Sequence, residues 1–346
     1  MTATSDPISA PPRRLTILTI NYHCSALVLE LVSSLEACAD PSLAILVVDN
    51  SPGDPGLDPL RDRPGLTLLQ AERNLGFGAG CNLGLEHLQR HDPDSLVWLL
   101  NPDARLLPGA IAAVRRCLQA PGAPAVLGTR IRDLQGRIWF DRGRFDPWLG
   151  RLLHRPASDS SAAASSAPPA GAAGTAPPAT APAAQGAARR DDQEALSEAS
   201  DWLSGCSLIL DPKALSVPPR FDPQFFLDYE DAELCLRLRR HGHPARVTRA
   251  VLVEHAVSAV TARAPRAKYR HATFSKLYLL HRHATPLGLG LNLLLYALRP
   301  LGQWPRDRSQ ALGRWAGLAD YLAWCGRRWR GDRRLRHPRT RFTAAS

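Results

Sequence analysis

The fold class is indicated by residues 15–49, which read LTILTINYHCSALVLELVSSLEACADPSLAILVVD. Apolar, β-branched runs at Leu15–Ile20 and Leu43–Val48 predict two strands. Between them leucine recurs at every fourth position, which predicts a helix over Ala26–Ala37. Strand, helix and strand in this order form a βαβ unit, which places its two strands parallel in one sheet.

The same alternation continues after this unit. The pattern predicts a short strand at Leu66–Leu69, a helix from about Gly78 to Gln89 and a strand at Leu96–Leu100. A further helix is expected to open near Pro108, because a proline at the first helical position loses no hydrogen bond. The chain is therefore predicted to be an α/β protein with a mostly parallel sheet flanked by helices.

A segment of unusual composition interrupts the pattern from Pro156 to about Ala195. It consists mainly of Ala, Ser, Pro and Gly, so it cannot offset its own ordering entropy, and we expect a disordered insertion. After it we predict a strand-like segment at Trp202–Leu210, a helix from Tyr229 to His241 that Gly242 closes, and a strand at Ala250–Val253.

The two ends of the chain differ from this middle part. Residues 1–14 are polar, contain proline and show no secretion signal, so we expect disorder there and a cytoplasmic protein. Residues 265–346 are expected to form a helical, basic extension to the domain of residues 15–264. Its apolar run Leu287–Leu301 is shorter than the roughly 20 residues that a spanning helix needs.

The overall charge suggests an anionic partner. The chain has 43 Lys and Arg against 32 Asp and Glu, a net charge of +11, which fits a nucleotide, a phospholipid surface or a nucleic acid. The seven cysteines are widely spaced and form no CxxC motif, so we interpret them as reduced packing residues.

Polar residues follow several predicted strands, at the end of a parallel sheet where ligands bind. Asn21 follows the first strand, Asp49 the second, and Asn101-Pro102-Asp103 a later one. The Asp49 carboxylate could accept hydrogen bonds from a base or a ribose, although an aspartate that only caps a loop would look the same. Asp103 could hold a divalent cation between two phosphates, although Asn-Pro-Asp is also common in turns.

A glycine-rich loop joins the third strand to its helix at residues 73–82, RNLGFGAGCN. Gly76 and Gly78 would allow the backbone to approach a nucleotide closely. The loop nearly fits a dinucleotide-binding fingerprint, but it has Cys81 in place of the third glycine and follows the third strand instead of the first.

A group of acids opens the helix predicted after Phe226. Asp228 is predicted to cap this helix, with Glu230 and Asp231 in its first turn. A carboxylate there could take a proton from an acceptor hydroxyl, although acids that only complement the helix dipole would look similar. His255, after a predicted strand, is either a cation ligand or a structural histidine.

Taken in order, six motifs resemble those of the family 2 glycosyltransferases of the rhamnosyltransferase type. They are Asn21-Tyr22, Val48-Asp49-Asn50-Ser51, Asn74-Leu75-Gly76-Phe77-Gly78, Asn101-Pro102-Asp103, Trp202-Leu203-Ser204-Gly205-Cys206 and Tyr229-Glu230-Asp231-Ala232-Glu233-Leu234-Cys235-Leu236-Arg237. The similarity spans about Leu15 to His255. It implies the GT-A fold, with a Rossmann-like half that binds a nucleoside-diphosphate sugar and a second half that binds the acceptor.

The resemblance also implies roles for single residues. Asp231 would be the general base of an inverting displacement, with Glu230 beside it, and Asp49 would contact the base of the nucleotide. Contacts to the sugar nucleotide are expected from Asn21, Asp49, Asn74, Gly76, Gly78 and Asn101. Contacts to the acceptor are expected from Trp202, Gly205 and Glu233. Mg²⁺ or Mn²⁺ would be bound by Asp103, with His255 near the metal or the diphosphate.

We therefore expect a metal-dependent, inverting glycosyltransferase of cell-envelope glycan synthesis. The first candidate for its donor is deoxythymidine-diphosphate rhamnose, and its acceptor would be lipid-linked or a polysaccharide. Its basic C-terminal part would lie on the inner face of the cytoplasmic membrane.

Three other functions fit the residues less well. A nucleotidyltransferase would need a glycine-rich triphosphate loop, and none lies between Leu15 and Leu29. A nucleic-acid-binding protein would need a module that reads bases, and none is recognisable. A scaffold without activity would not need Asp49, Asp103 and Asp231 together.

Overall fold

A computed structural model of the chain describes residues 13–52, 55–155, 196–256 and 265–330. The disorder expected for residues 1–12 and 156–195 concerns segments outside the described residues. Arg13 forms a bidentate salt bridge with Asp211, with N–O distances of 2.7 and 2.9 Å. This residue lies near the end of the N-terminal segment that was expected to be disordered.

The N-terminal half alternates strands and helices, as its pattern predicts. Its elements are β1 (Leu15–Asn21), α1 (Ser25–Glu36), β2 (Leu43–Asp49), β3 (Leu66–Gln70), α2 (Phe77–His91) and β4 (Leu96–Leu100). β1 and β4 are buried along their whole length, which explains why they read as continuous apolar runs.

The second half contains more and shorter strands. Its elements are β5 (Ala104–Leu106), α3 (Ala110–Gln119), β6 (Val126–Asp133), β7 (Ile138–Phe140), β8 (Arg142–Asp146), β9 (Arg151–Arg155), β10 (Ser197–Ser200), β11 (Ser207–Leu210), α4 (Glu230–Arg240) and β12 (Ala245–His255). Three helices follow: α5 (Pro265–His283), α6 (Pro286–Gln303) and α7 (Arg308–Trp329).

One mixed sheet of ten strands organises the domain. Its main order is β10-β12-β6-β11-β4-β1-β2-β3, with β5 paired to β12 and β7 to β6, while β8 and β9 form a separate hairpin. β1, β2, β3, β4, β6 and β12 run in one direction, whereas β11 is antiparallel to both of its neighbours. The predicted α/β fold with a mostly parallel sheet is therefore confirmed, and the carboxyl ends of six strands share one edge.

Several predicted boundaries are wrong for local reasons. The strand expected at Trp202–Leu210 begins only at Ser207, because residues 203–206 form a turn. The helix expected near Pro108 begins at Ala110, after Gly109 at a φ of +78°. β6 escaped prediction because arginines interrupt its apolar sequence.

The helical C-terminal part predicted from the sequence is confirmed, and it packs on the domain through a second hydrophobic core. Phe225, Ala232 and Leu236 of the domain meet apolar side chains of α5 and α7 there. Among the described residues, no helix combines the length and the apolar character that crossing a bilayer requires. All seven cysteines are free, and four of them are buried.

Close packing of α5 against α7 depends on two glycines. A Cβ at Gly313 would lie 2.5 Å from the carbonyl oxygen of Arg266, and one at Gly317 would lie 2.3 Å from that of Arg270. Spacing by four residues places both glycines on one face of α7, so that the two backbones touch.

Replacing Gly317 with alanine is therefore predicted to destabilise the protein by about 1–3 kcal/mol, because a helix backbone would have to move. The matched control is Gly290→Ala on α6, where a Cβ meets nothing within 4 Å. Alanine should stabilise that position by up to about 1 kcal/mol. Denaturant unfolding of both variants measures this, and equal effects would contradict the packing argument.

Candidate functional site

Asn21 and Asp49 lie side by side at the carboxyl ends of β1 and β2. They are partners in the strand register, and Asn21 Nδ2 donates a hydrogen bond to Asp49 Oδ1 at 3.0 Å. The backbone N–H of Ser51 donates to the same oxygen at 2.9 Å. Both polar side chains are buried, so Asp49 is oriented before any ligand arrives, and its Oδ2 has no donor among the described residues.

Asn50, which the sequence places with Asp49 at a strand end but to which no role was assigned, holds the glycine-rich loop. Its Oδ1 accepts from Leu75 N at 2.9 Å, and its Nδ2 donates to the Gly76 carbonyl at 3.1 Å. Nδ2 also donates to Asn74 Oδ1 at 3.2 Å. The signal that could have found Asn50 is its place directly after Asp49 at a strand end.

The glycines of this loop make room for other parts of the chain. Gly76 has a φ of +83°, and a Cβ there would lie 2.2 Å from the carbonyl oxygen of Phe226. A Cβ at Gly78 would lie 3.4 Å from the Cβ of Glu230. Close packing explains both glycines, against Phe226 for Gly76 and mainly against Phe221, whose Cβ would lie 3.0 Å away, for Gly78.

Asp103 and His255 meet beyond the ends of β4 and β12. Asp103 Oδ1 and His255 Nε2 are 3.1 Å apart, and both residues are buried. Nδ1 of His255 is buried without a hydrogen-bond partner among the described residues, and the ring packs edge-on against Trp139 with centroids 4.5 Å apart. Nearby, the backbone N–H of Asn101 donates to the Cys206 carbonyl at 3.1 Å.

One carboxylate and one imidazole suit a divalent cation only in part. Within residues 13–52, 55–155, 196–256 and 265–330, no three His, Cys, Asp or Glu side chains group to hold a metal. Asp103 and His255 supply one oxygen and one nitrogen of the kinds that bind Mg²⁺ or Mn²⁺, so such an ion would need further ligands from outside these two residues.

Asp231 stands in the first turn of α4. Its Oδ2 accepts the backbone N–H of Gly205 at 2.8 Å, and its Oδ1 accepts that of Ala232 at 2.7 Å. The helix begins after two left-handed residues, Asp228 at a φ of +66° and Tyr229 at +69°. The prediction that Asp228 caps the helix is wrong, because Tyr229 holds the N-cap position without a side-chain hydrogen bond.

Burial raises the pKa values of three carboxyl groups around this turn. Burial raises the pKa of Asp231, against the opposing hydrogen bonds from Gly205 and Ala232. Burial and the charges of Asp231 and Asp228 raise the pKa of Glu230 well above its ordinary value, and Glu230 Oε2 has no partner among the described residues. Burial raises the pKa of Asp228 to about 6, although Lys268 opposes this. Glu230 is therefore the carboxyl that stays protonated most readily.

Glu233, expected on the acceptor side, is not brought to the same place as Asp231. Two positions along a helix rotate a side chain by about 200°. Glu233 is fully buried, 3.2 Å from both Arg237 and Arg282 and 3.7 Å from His283. Burial alone would raise its pKa, but His283 and the two arginines lower it. The side chain ties α4 to α5.

Gly205 lies beside Asp231, in the turn before β11, and Trp202 precedes that turn. Gly205 reaches the carboxylate through its N–H, and a Cβ on it would lie 3.0 Å from the ring of Phe77. Trp202 bridges to Gly143 of β8, and its ring lies 5.3 Å from that of Phe140. The turn before β11 therefore contacts the Asp231 carboxylate through Gly205.

Comparisons with known proteins show which family and which proteins this chain is similar to. Residues 16–161 match the model of the family described as glycosyl transferase family 2. An N-acetylglucosaminyl-diphospho-decaprenol L-rhamnosyltransferase of Mycobacterium tuberculosis is 23% identical over 279 residues, which cover 78% of this chain and 85% of that protein.

Two solved structures are similar to this chain. The structure of GalNAc-T7 with UDP, GalNAc and Mn²⁺ has a TM-score of 0.54 at 12% identity and covers 89% of this chain, which spans 55% of the GalNAc-T7 chain. The mannosyltransferase PcManGT of Pyrobaculum calidifontis, in complex with GDP-Man and Mn²⁺, has a TM-score of 0.48 at 16% identity, with 92% and 79% of the two chains covered.

The state of Glu230 leads to a prediction about stability. A carboxyl with a raised folded-state pKa binds more protons when folded than when unfolded, so its contribution to stability is present at low pH and is lost as pH rises. Glu230→Gln should therefore gain stability relative to the wild type as pH goes from 5 to 8. Melting temperatures across this range measure the gain, with Glu72→Gln at an exposed position as control. A difference that is independent of pH would contradict the raised pKa.

Proposed function

We propose that this chain, whose residues 16–161 match the model of glycosyl transferase family 2, transfers a sugar, with inversion, from a nucleoside-diphosphate sugar to a lipid-linked acceptor. The observation that carries this proposal is the placement of Asp231, a carboxylate of raised pKa held by Gly205. It stands beside the turn before β11, which faces the sheet edge where Asp49 and Asp103 follow their strands.

The donor would bind along that edge. Asp49 is oriented by Asn21, and its Oδ2 would accept a hydrogen bond from the base or the ribose. The loop that contains Asn74 and Gly76 would border the donor at the same edge of the sheet. Rhamnose is our first candidate for the sugar, because the relative from Mycobacterium tuberculosis is named as a rhamnosyltransferase. A deoxythymidine diphosphate is the matching nucleotide in this proposal.

Asp103 and His255 would hold Mg²⁺ or Mn²⁺ against the diphosphate. Bound there, the ion would neutralise the charge that develops on the leaving diphosphate. The structure of GalNAc-T7 contains both UDP and Mn²⁺, which supports the use of a divalent ion on this fold. The imidazole of His255 and the carboxylate of Asp103, whose Nε2 and Oδ1 atoms are 3.1 Å apart, are the ligands that this chain would supply.

Transfer would proceed by a single displacement. Asp231 accepts the proton of the acceptor hydroxyl while the oxygen of that hydroxyl bonds to the anomeric carbon. The bond from this carbon to the diphosphate breaks on the opposite face. Gly205 fixes the direction of the carboxylate. Glu230, protonated beside it, leaves Asp231 as the charged member of the pair. Trp202 and the turn before β11 would border the acceptor.

The acceptor side also offers a surface for a membrane. The outer face of α6 exposes six leucines, and the loop that packs against this helix exposes Trp148 and Leu149. We call these residues the apolar ridge; they are Trp148, Leu149, Leu287, Leu291, Leu294, Leu295, Leu298 and Leu301. Residues 265–330 carry 12 Lys and Arg against two Asp, so the three helices that include the ridge are strongly basic. An anionic bilayer at the inner face of the cytoplasmic membrane is the partner that matches both features.

The role of Asp231 is tested by Asp231→Asn. The variant should lose nearly all transfer, because no base remains, while it binds the donor nucleotide as the wild type does. Turnover and calorimetric nucleotide binding measure the two effects, with the surface variant Asp94→Asn as control. In the wild type, kcat should rise with pH as Asp231 loses its proton, since the base form is the active one. Retained turnover in Asp231→Asn would refute the assignment.

The membrane proposal is tested with vesicles. Leu294→Glu with Leu298→Glu should weaken binding to phosphatidylglycerol vesicles more than tenfold, because each buried leucine contributes about 1.5–3 kcal/mol. The control is Leu134→Glu, which changes an equally exposed leucine (57%) on the β6–β7 turn, away from the ridge. Equal losses in both proteins, or binding that ignores vesicle charge, would contradict the proposal.

A further inference from the structure

One face of α5 lies against the segment of the chain that carries Asp231. We call residues 222–233 the acid segment. Ser275 Oγ of α5 donates a hydrogen bond to the Leu227 carbonyl, in the middle of this segment, at 2.9 Å. Ser275 is buried, and the side chains three and seven positions further along α5 lie on the same face of the helix. These two side chains also contact the acid segment.

Tyr278 and Arg282 are these side chains, and they hold the beginning of the acid segment. The Tyr278 hydroxyl donates to Asp222 Oδ2 at 2.8 Å, and Arg282 Nη1 lies 3.5 Å from the same oxygen. Arg282 Nη1 also donates to the Tyr278 hydroxyl at 3.3 Å. Asp222 Oδ1 accepts the backbone N–H of Gln224 at 2.9 Å, so the carboxylate is fixed to the backbone of the segment.

Arg282 holds the end of the acid segment as well. Its Nη2 lies 3.2 Å from Oε1 of Glu233, a fully buried carboxylate on α4, two positions after Asp231. The two terminal nitrogens of one guanidinium therefore bind the first and the last residue of the segment, Asp222 and Glu233. The planar fork of arginine suits it to reach two acids at once, whereas an ammonium is a point charge.

The backbone between these two ends is strained. Asp228 and Tyr229 have φ values of +66° and +69°, a left-handed conformation that residues other than glycine rarely adopt. Such a conformation persists only where the surrounding structure enforces it. Asp231 follows directly, and its Oδ2 accepts the backbone N–H of Gly205 at 2.8 Å. The direction of this carboxylate thus depends on contacts that keep the left-handed turn closed.

We propose that Arg282 is a positioning residue for Asp231. By pairing with Asp222 and Glu233, it keeps the left-handed turn closed and holds the Asp231 carboxylate against the N–H of Gly205. The inference rests on the proposed function, since Asp231 is the base of that same site. It gives α5 a part in sugar transfer that is separate from the membrane surface of α6.

The same helix supplies a matched control. Arg270 of α5 forms a bidentate salt bridge with Asp320 of α7, with N–O distances of 2.5 and 2.8 Å. Its side chain is 30% exposed, against 35% for that of Arg282. Both arginines join α5 to another helix, but the partner of Arg270 lies outside the acid segment. A general loss of stability would therefore affect Arg270→Met in the same way as Arg282→Met.

Steady-state kinetics test the effect on transfer. Arg282→Met should lower kcat about tenfold or more, because a small displacement of a catalytic group has a cost of this size. The KM for the donor should stay at the wild-type value, since Asn21 and Asp49 lie outside the acid segment. Arg282→Lys should have a kcat between those of the wild type and Arg282→Met. Arg270→Met should change neither constant, and an equal fall of kcat in Arg270→Met and Arg282→Met would overturn the inference.

Hydrogen exchange of the Gly205 amide, measured by NMR, reports the position of Asp231 without any transfer. In Arg282→Met this amide should exchange about fivefold faster or more, because its acceptor is no longer held in place. The Ser51 amide, which donates to Asp49, should keep its wild-type rate. In Arg270→Met both amides should exchange as in the wild type. An unchanged rate for Gly205 in Arg282→Met would contradict the positioning role.

A milder variant covers the case in which Arg282→Met does not fold. Tyr278→Phe removes only the hydroxyl that contacts Asp222 and Arg282, and it keeps the buried ring. It should speed up exchange of the Gly205 amide and lower kcat, in the same directions as Arg282→Met. The absence of both effects in folded Tyr278→Phe would count against the inference.

The two kinds of measurement separate this inference from the proposed function. If the wild type transfers no sugar to any acceptor, the proposed function fails, and the Gly205 amide still decides whether Arg282 holds Asp231 in place. In an active enzyme, faster exchange of that amide without a fall in kcat would refute the inference and leave the proposed function intact.

Discussion

A contact between two main chains is the constraint on which the rest of the site depends. Phe77 N donates to the Phe226 carbonyl at 3.2 Å, and only a glycine at position 76 leaves room for that oxygen. The contact holds the loop after β3 against the segment that leads into α4. The left-handed turn at Asp228 and Tyr229 then starts α4 where Asp231 meets the turn before β11. The glycine-rich loop after β3 and the helix that carries Asp231 are thereby fixed relative to each other.

Carboxyl groups and cationic side chains lie on different sides of Tyr229. On one side, burial crowds Asp228, Glu230 and Asp231 and raises the pKa of all three. On the other side, Lys276 is buried and forms no ion pair with an acid of the described residues, and Nη1 of Arg314 is buried without a hydrogen-bond partner among them. Unpaired buried groups of this kind reduce stability, and the tight packing of α5 against α7 offsets the loss. Clusters of perturbed groups are typical of places where a substrate supplies the missing partners.

Local patterns could predict the strands that carry the nucleotide side, because β1, β2 and β4 are apolar nearly throughout. β6 could not be predicted in this way, because Arg130 and Arg132 interrupt its apolar sequence. Arg130 pairs with Asp141 and Glu198, and Arg132 pairs with Glu254 at 3.0 Å. Arginine is compatible with a half-buried strand only when acids from other strands reach it, and a local pattern does not contain that information.

The sequence by itself determined which polar residues end the parallel strands, since the carboxyl ends of such strands share one edge; Asn21, Asp49 and Asp103 follow from this rule. Tertiary structure alone decided the places of Glu233 and Lys276. Glu233 faces Arg282, which comes from a helix about fifty residues further along, and Lys276 reaches the ring of Tyr229 only because α5 packs on α4. Contacts between segments so far apart depend on packing and charge in three dimensions, which spacing along the chain does not specify.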